Sequence, residues 1–218
     1  MLTAQKLSGY VAAQLTHFFP DGLTKGRELN RLVNVALQRS DHCFSQIKAK
    51  YYNEARGSLN HLHTDQYASF LYFLGNFAFK ENRPLLASKI FALNKALHAL
   101  DIFYEVELPE VFYLEHPVGT VLGRAKYGNY FMVHQSCTVG SNVEDVYPIL
   151  GEGVVMYAGS GIIGKSKLGN NCWLAYGAVL KNENVPANSI VFERSPKAVI
   201  KRTKRSVIRD LFGLKDFH

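Results

Sequence analysis

The sequence predicts an α+β protein: an N-terminal α-helical subdomain, then a parallel β-helix, then a short C-terminal helix. Three observations carry this. From Leu150 onward every sixth residue is a large aliphatic, at Leu150, Met156, Ile162, Leu168, Leu174 and Leu180. Two places before each stands a mostly small residue: Pro148, Val154, Ser160, Ser166, Cys172 and Ala178. Residues 1–100 lack this period and carry helical apolar stripes instead. A period of six matches neither a 3.6-residue helix nor plain strand alternation. It fits short strands joined by corners and stacked coil on coil.

Each aliphatic is expected to point into a narrow core, with the small residue where coils crowd. A second register lies upstream at Val121, Tyr127, Val133 and Val139, preceded two places earlier by Gly119, Ala125, Phe131 and Cys137. Positions 139 and 150 are 11 apart rather than 12, so the registers slip by one residue, and the break falls in 141–147.

In chain order, residues 3–18 predict an amphipathic helix stopped by Pro20-Asp21-Gly22. Residues 26–55 read as one helix with a broken stripe through Leu29, Leu32, Val33, Ala36, Phe44, Ile47 and Tyr51, ended by Gly57. Thr64 is the expected N-cap of a helix over 65–79. Its aromatics, Tyr67, Phe70, Tyr72, Phe73, Phe77 and Phe79, suit a core or subunit interface. Asn82-Arg83-Pro84 ends that run, and 85–100 forms the last helix of the subdomain. The β-helix then covers 101–197, and 198–218 is a basic tail with Lys201, Arg202, Lys204, Arg205 and Arg209, including a short helix ending near Gly213. The tail reads as a charged cap over the last strand edge, or as an attraction for phosphates.

A chain of 218 residues suits one compact unit or two small subdomains. The net charge of +7 favours an anionic ligand. A nucleic-acid partner is not expected, because the tail offers only Phe212 and Phe217 for stacking and no binding motif. Cys43, Cys137 and Cys172 are too widely spaced for a disulfide framework or a zinc set, and the latter two fall on core positions. No apolar run approaches a membrane span and the N-terminus has no signal-peptide layout, so a cytoplasmic protein is expected.

Over roughly residues 60–200 the chain resembles the hexapeptide-repeat acyltransferases, and within them the serine acetyltransferases. The resemblance is carried by Asp101-Ile102, by Glu115-His116-Pro117-Val118-Gly119-Thr120-Val121-Leu122-Gly123, by Gln135-Ser136-Cys137-Thr138-Val139-Gly140 and by Tyr147-Pro148. It continues through Gly164, Gly169, Gly177-Ala178-Val179-Leu180, Val185-Pro186 and Ser195-Pro196-Lys197. It implies coils of about 18 residues wound left-handed, against the usual crossover rule. It also implies an acetyl-CoA-dependent O-acetyltransferase with no metal. Such chemistry needs a base for the acceptor hydroxyl and a carboxylate to hold that base, and histidine suits the first task near neutral pH. By resemblance, His116 is the general base and Asp101, 15 positions earlier, its orienting partner. The acceptor would attack the thioester directly, with backbone N–H groups at coil corners stabilising the oxyanion and no Ser or Cys nucleophile. The coenzyme would lie outside the coils between subunits of a homotrimer, along Ala158, Gly159, Tyr176 and Gly177, with Lys197 meeting a phosphate. Trp173 is expected to point outward, into subunit packing.

The acceptor side departs from the family. Glu115 stands where the family has aspartate, and Val146-Tyr147-Pro148 stands where it has Arg-His-Pro. A valine cannot hold a carboxylate as a guanidinium does. Asp65 is the nearest candidate for the family's acidic residue from the helical region, which gives Glu115, Tyr147 and Asp65 as acceptor-binding residues. Two acceptors follow: L-serine, or a sugar hydroxyl or amine of a surface-polysaccharide precursor. The ending Phe217-His218 lacks the family's terminal isoleucine, so docking to cysteine synthase is not expected. Two rival classes remain. A zinc enzyme of the carbonic-anhydrase type would need three histidines, and from residue 101 the chain has His116, His134 and His218. A non-catalytic trimeric scaffold would have no use for Asp101 and His116. Closed symmetry favours a trimer, or a dimer of trimers through the helical region.

Overall fold

The structure, a computed structural model, describes residues 2–22, 26–53 and 59–213. Helix α1 (Ala4–Phe18) starts at Thr3, whose hydroxyl accepts from the Lys6 N–H. Helix α2 (Arg27–Ser45) ends well before the expected 55, and a turn at 46–49 leads into the single turn α3 (Lys50–Asn53). The break lets Ile47 and Tyr52 both reach the core, which one continuous helix would not allow. Gly57, the expected terminator, lies outside the described residues, as do Phe217 and His218.

Helix α4 (Thr64–Lys80) includes Thr64 in its first turn; the capping position is His63, which makes no side-chain cap bond. Helix α5 (Pro84–His98) begins on a proline, where the missing N–H costs nothing, and closes on Ala99 at φ +50°. Helix α4 is the axis of the helical region, packed between α2 and α5, with Phe70, Phe73, Leu71 and Leu74 buried. Its aromatics are therefore largely core. It also holds the next segment: the Tyr72 hydroxyl donates to the Val106 carbonyl and accepts from the Leu108 N–H.

The chain then winds into a parallel solenoid with three faces. The first face joins β1 (Phe112–Leu114), β4 (Phe131–Val133), β7 (Val154–Met156), β10 (Cys172–Leu174) and β13 (Ser189–Phe192). The second joins β2 (Val121–Leu122), β5 (Thr138–Gly140), β8 (Gly161–Ile163) and β11 (Val179–Lys181). The third joins β3 (Lys126–Tyr127), β6 (Ile149–Leu150), β9 (Lys167–Leu168) and β12 (Asn184–Val185). Every pairing among these strands is parallel.

The downstream hexad register is the one observed: Leu150, Met156, Ile162, Leu168, Leu174 and Leu180 are all at most 4% exposed. Upstream, one position differs. Leu122 rather than Val121 faces the core, pairing with Val139, while Val121 turns outward. The cause is the corner after it: from Leu122 to Tyr127 the chain takes five residues, where the equivalent corner from Ile162 to Leu168 takes six. The register break at 141–147 is an enlarged corner between β5 and β6; the equivalent corner between β8 and β9 holds only Gly164, Lys165 and Ser166.

The small residues of the hexads are buried inside the coil, and the crowding between coils lies elsewhere. At the corner after the third face, Gly128, Gly151 and Gly169 sit one above another, each with backbone of the next coil too close for a side chain.

The tail is not a free charged cap. Strand β14 (Val199–Arg202) covers the edge of β13 in antiparallel pairing. The chain then returns along the outer side of the first face through α6 (Val207–Leu211). Val207 and Phe212 are buried, Phe212 packs on Tyr130, and the Lys48 N–H donates to the Leu211 carbonyl at 2.8 Å. The tail is thus a strap from the last coil to the helical region. Trp173 does point outward from its strand, but this strap covers it: the ring lies between Tyr157 and the Arg205 guanidinium, 3% exposed. Its packing is within the chain rather than between subunits. Among the described residues no helix is long and apolar enough to cross a membrane.

Candidate active site

The corner from the first to the second face repeats once per coil, and its first copy is abnormal. From Leu114 to Val121 the chain uses two more residues than from Val133 to Thr138, although both pairs of strands stay in register. The surplus bulges outward at His116, which adopts φ +49°. Its imidazole is 75% exposed. The bulge is held from behind by α4: the His116 N–H donates to Asp65 Oδ2 at 3.1 Å, and His116 Nδ1 lies 3.5 Å from the same oxygen. The Asp65 side chain is 7% exposed and sits in the first turn of α4, where the helix dipole favours an anion.

Asp101 is placed differently from the expected role. Its backbone pairs with Val121, five positions beyond His116, and its carboxylate holds Lys95 Nζ at 2.5 Å. A 15-residue separation does bring the two residues to neighbouring coils, but a side chain on the flat of the second face does not reach the corner. The carboxylate beside the imidazole is that of Asp65.

Glu115 is half-buried beside Tyr113. Burial, and then the Glu115 carboxylate, pushes the Tyr113 phenol up, so it stays protonated. His134 lies one coil on from Glu115, its ring tilted on Tyr157. Burial pulls its pKa down, against the Glu115 charge, and its Nε2 is buried without a hydrogen-bond partner. A cavity of about 240 Å³ opens next to the His116 bulge, lined by Thr64, Asp65, Ala96, Leu97, His98, Ala99, Pro117 and Val118.

Beyond His116 the same corner forms a ladder. Gly119, Ser136, Gly159 and Gly177 all take positive φ there, and Ala158 and Tyr176 immediately precede two of them. Coils rise by about 4.8 Å, so Ala158, Gly159, Tyr176 and Gly177 form a narrow path leading away from His116. Tyr176 is 83% exposed and projects from it. The N–H groups of Ser136, Gly159 and Gly177 are spent on coil-to-coil bonds to Val118, Gln135 and Ala158 carbonyls. Among the described residues, those of Gln135, Ala158 and Tyr176 have no backbone partner. Lys197 is exposed past the last coil, its N–H donating to the Arg194 carbonyl.

Arg194 and His98 were not among the sequence candidates. Arg194 donates through Nε to the Gly177 carbonyl at 3.1 Å, which puts a guanidinium on the ladder. A strict 18-residue step from Ala158 through Tyr176 would have found it. His98 had no such signal, because its place depends on how α5 docks. Tyr147 is half-buried in the enlarged loop at the corner between the second and third faces, the opposite edge of the second face from His116. One chain alone does not bring them together. The three cysteines are buried, and burial pushes the Cys172 thiol up to about 11 and Cys43 up to about 12, which suits packing rather than nucleophilic work. Among the described residues no group of three or more His, Cys, Asp or Glu is placed to hold a metal. The zinc reading's third histidine, His218, lies outside them.

Solved structures that share this architecture include serine acetyltransferases. The fold superposes on the Vibrio cholerae enzyme with a TM-score of 0.71 at 20% identity, covering 97% of this chain and 84% of that one. It superposes on the coenzyme A complex of the Brucella abortus enzyme with a TM-score of 0.70 at 19% identity, covering 94% and 84%. In sequence, 122 residues are 24% identical to the serine acetyltransferase of Synechococcus elongatus, over 54% of this chain and 50% of that protein. A further 134-residue match, 23% identical, is to the Staphylococcus epidermidis serine acetyltransferase, over 60% of this chain and 58% of that protein. The chain thus spans about half the length of the sequence relatives it matches. No protein-family model matches it.

Proposed function

We propose that this chain is an acetyl-CoA-dependent O-acetyltransferase with His116 as general base. The observation that carries this reading is an exposed imidazole on a bulged corner at the head of a small-residue ladder, its backbone N–H bonded to a buried carboxylate that lies 3.5 Å from its Nδ1. With Nδ1 turned to Asp65, the Nε2 lone pair is free to take the proton of an acceptor hydroxyl. The freed alkoxide attacks the acetyl carbonyl, the C–S bond breaks, and coenzyme A leaves as the thiol. Asp65 stabilises the imidazolium that forms, as the carboxylate does in a Ser-His-Asp site. The open N–H groups of Gln135 and Ala158 supply donors near the developing oxyanion. Ala158, Gly159 and Gly177 let an extended coenzyme arm lie close to the coils, with Tyr176 flanking it and Arg194 and Lys197 offering charge to its phosphates.

A cyclic trimer completes the arrangement. His116 and the loop carrying Tyr147 occupy opposite edges of the second face, so threefold packing places one protomer's loop at the next protomer's base.

Thiol release from acetyl-CoA, followed with and without hydroxyl acceptors, tests the reading. The expected result is acceptor-dependent release that saturates with acetyl-CoA. A protein that neither binds coenzyme A nor releases thiol would be a scaffold instead.

A further inference from the structure

We infer that the acceptor carries a protonated amine beside its hydroxyl and no carboxylate: a small amino alcohol, free or as part of an amino sugar. This rests on the reading of His116 as the base that faces the acceptor.

The cavity beside His116 is walled by Ala96, Leu97, Ala99, Pro117 and Val118, and its polar character comes from Asp65, His98 and Thr64. Asp65 accepts the His116 N–H through Oδ2, and among the described residues its Oδ1 has only the Thr64 hydroxyl at 3.4 Å. A carboxylate can accept about four bonds, so this buried anion has capacity to spare.

His98 can be assigned its tautomer. Asn94 Nδ2 donates to the Ala68 carbonyl at 3.0 Å, which fixes the amide so that Oδ1 faces His98 Nδ1 at 2.7 Å. An amide oxygen only accepts, so Nδ1 carries the proton. Burial disfavours the charged ring and lowers its pKa, so Nε2 keeps a lone pair. Both Asp65 and His98 therefore present acceptors.

Among the described residues no Lys or Arg lines the cavity. Lys95, on the same helix as His98, gives its ammonium to Asp101. An ammonium group would meet the Asp65 carboxylate, while a carboxylate would meet a buried anion with nothing in this lining to balance it. A volume of about 240 Å³ suits a small polar molecule and is too small for a long chain.

The test uses the full-length protein and four probes. Serinol and L-serine differ in the carboxylate, serinol and glycerol differ in the amine, and glucosamine presents the amino alcohol on a ring. Melting temperature is read with each probe alone, and thiol release is read with each probe plus acetyl-CoA. Serinol or glucosamine is expected to raise the melting temperature and to show kcat/KM at least about tenfold above L-serine and glycerol. Asp65→Asn, which keeps the acceptor for the His116 N–H but removes the charge, is expected to shrink that advantage over glycerol by about tenfold. The proposal is overturned if L-serine or glycerol matches the amines, or if no amine alters melting or turnover. Amine binding with no thiol release would uphold the pocket assignment and sink the acetyltransferase reading instead.

Discussion

His116→Ala is expected to lower kcat by about 10²–10⁴-fold while the protein keeps its fold and its affinity for coenzyme A. The two halves of this expectation have separate causes. The imidazole is 75% exposed, so removing it opens no cavity in the core. The corner keeps its anchor, because the bond to Asp65 Oδ2 comes from the backbone N–H rather than the ring. Alanine at φ +49° costs about 1 kcal/mol, a strain histidine at this position already bears. On the proposed reading, what is lost is the group that takes the hydroxyl proton. Turnover within a factor of a few of the unmodified protein would place the base elsewhere. Comparing Asp65→Asn with Asp101→Asn then identifies the carboxylate that orients the ring. The geometry assigns it to Asp65, so the larger fall in kcat, with a shifted pH profile, belongs to that variant.

That assignment shows where the sequence can be read and where it cannot. A spacing of 15 in coils of about 18 residues does put Asp101 and His116 on neighbouring turns. Spacing says nothing about which of them stands at a corner, and the two surplus residues around His116 decide that. The corner from Leu122 to Tyr127 is one residue short of the hexad and turns Val121 outward and Leu122 inward, so the upstream register slips while the uninterrupted run from Leu150 to Leu180 does not. The break at 141–147 was legible because it changes the count between two inward residues. The interruption between α2 and α3 was not, because no proline or glycine marks it and tertiary burial of Ile47 and Tyr52 overrides local propensity. The basic composition of the tail concealed two buried apolar residues, Val207 and Phe212, that help pin it down as a strap. Asp65 could be nominated from sequence as an acidic residue of the helical region. Its contact with His116 could not, since it depends on how α4 docks against β1.

Gly128→Ala is expected to destabilise the protein by about 3 kcal/mol or more, the upper end of the range for overpacking, although it adds a single methyl group. The added Cβ would stand 2.3 Å from the Gly151 carbonyl carbon, 2.4 Å from its oxygen and 2.6 Å from the Glu152 nitrogen. All three atoms are backbone of the next coil, and that coil is itself bound in place by the Gly128 N–H to Leu150 carbonyl bond at 2.9 Å. No side chain can swing aside, so the coils must separate, and Gly151 meets the same obstacle from Gly169 above it. For a chain of this size the loss corresponds to a fall in melting temperature of about 6–12 °C. Gly9→Ala is the control of opposite sign. That glycine is exposed within α1, nothing lies within 4 Å of the added carbon, and alanine there gains up to about 1 kcal/mol of helix propensity. Thermal melts of the two variants therefore separate close coil-to-coil approach from the general flexibility of glycine. Equal melting temperatures would mean that the third-face corner is looser than a stack of three glycines requires.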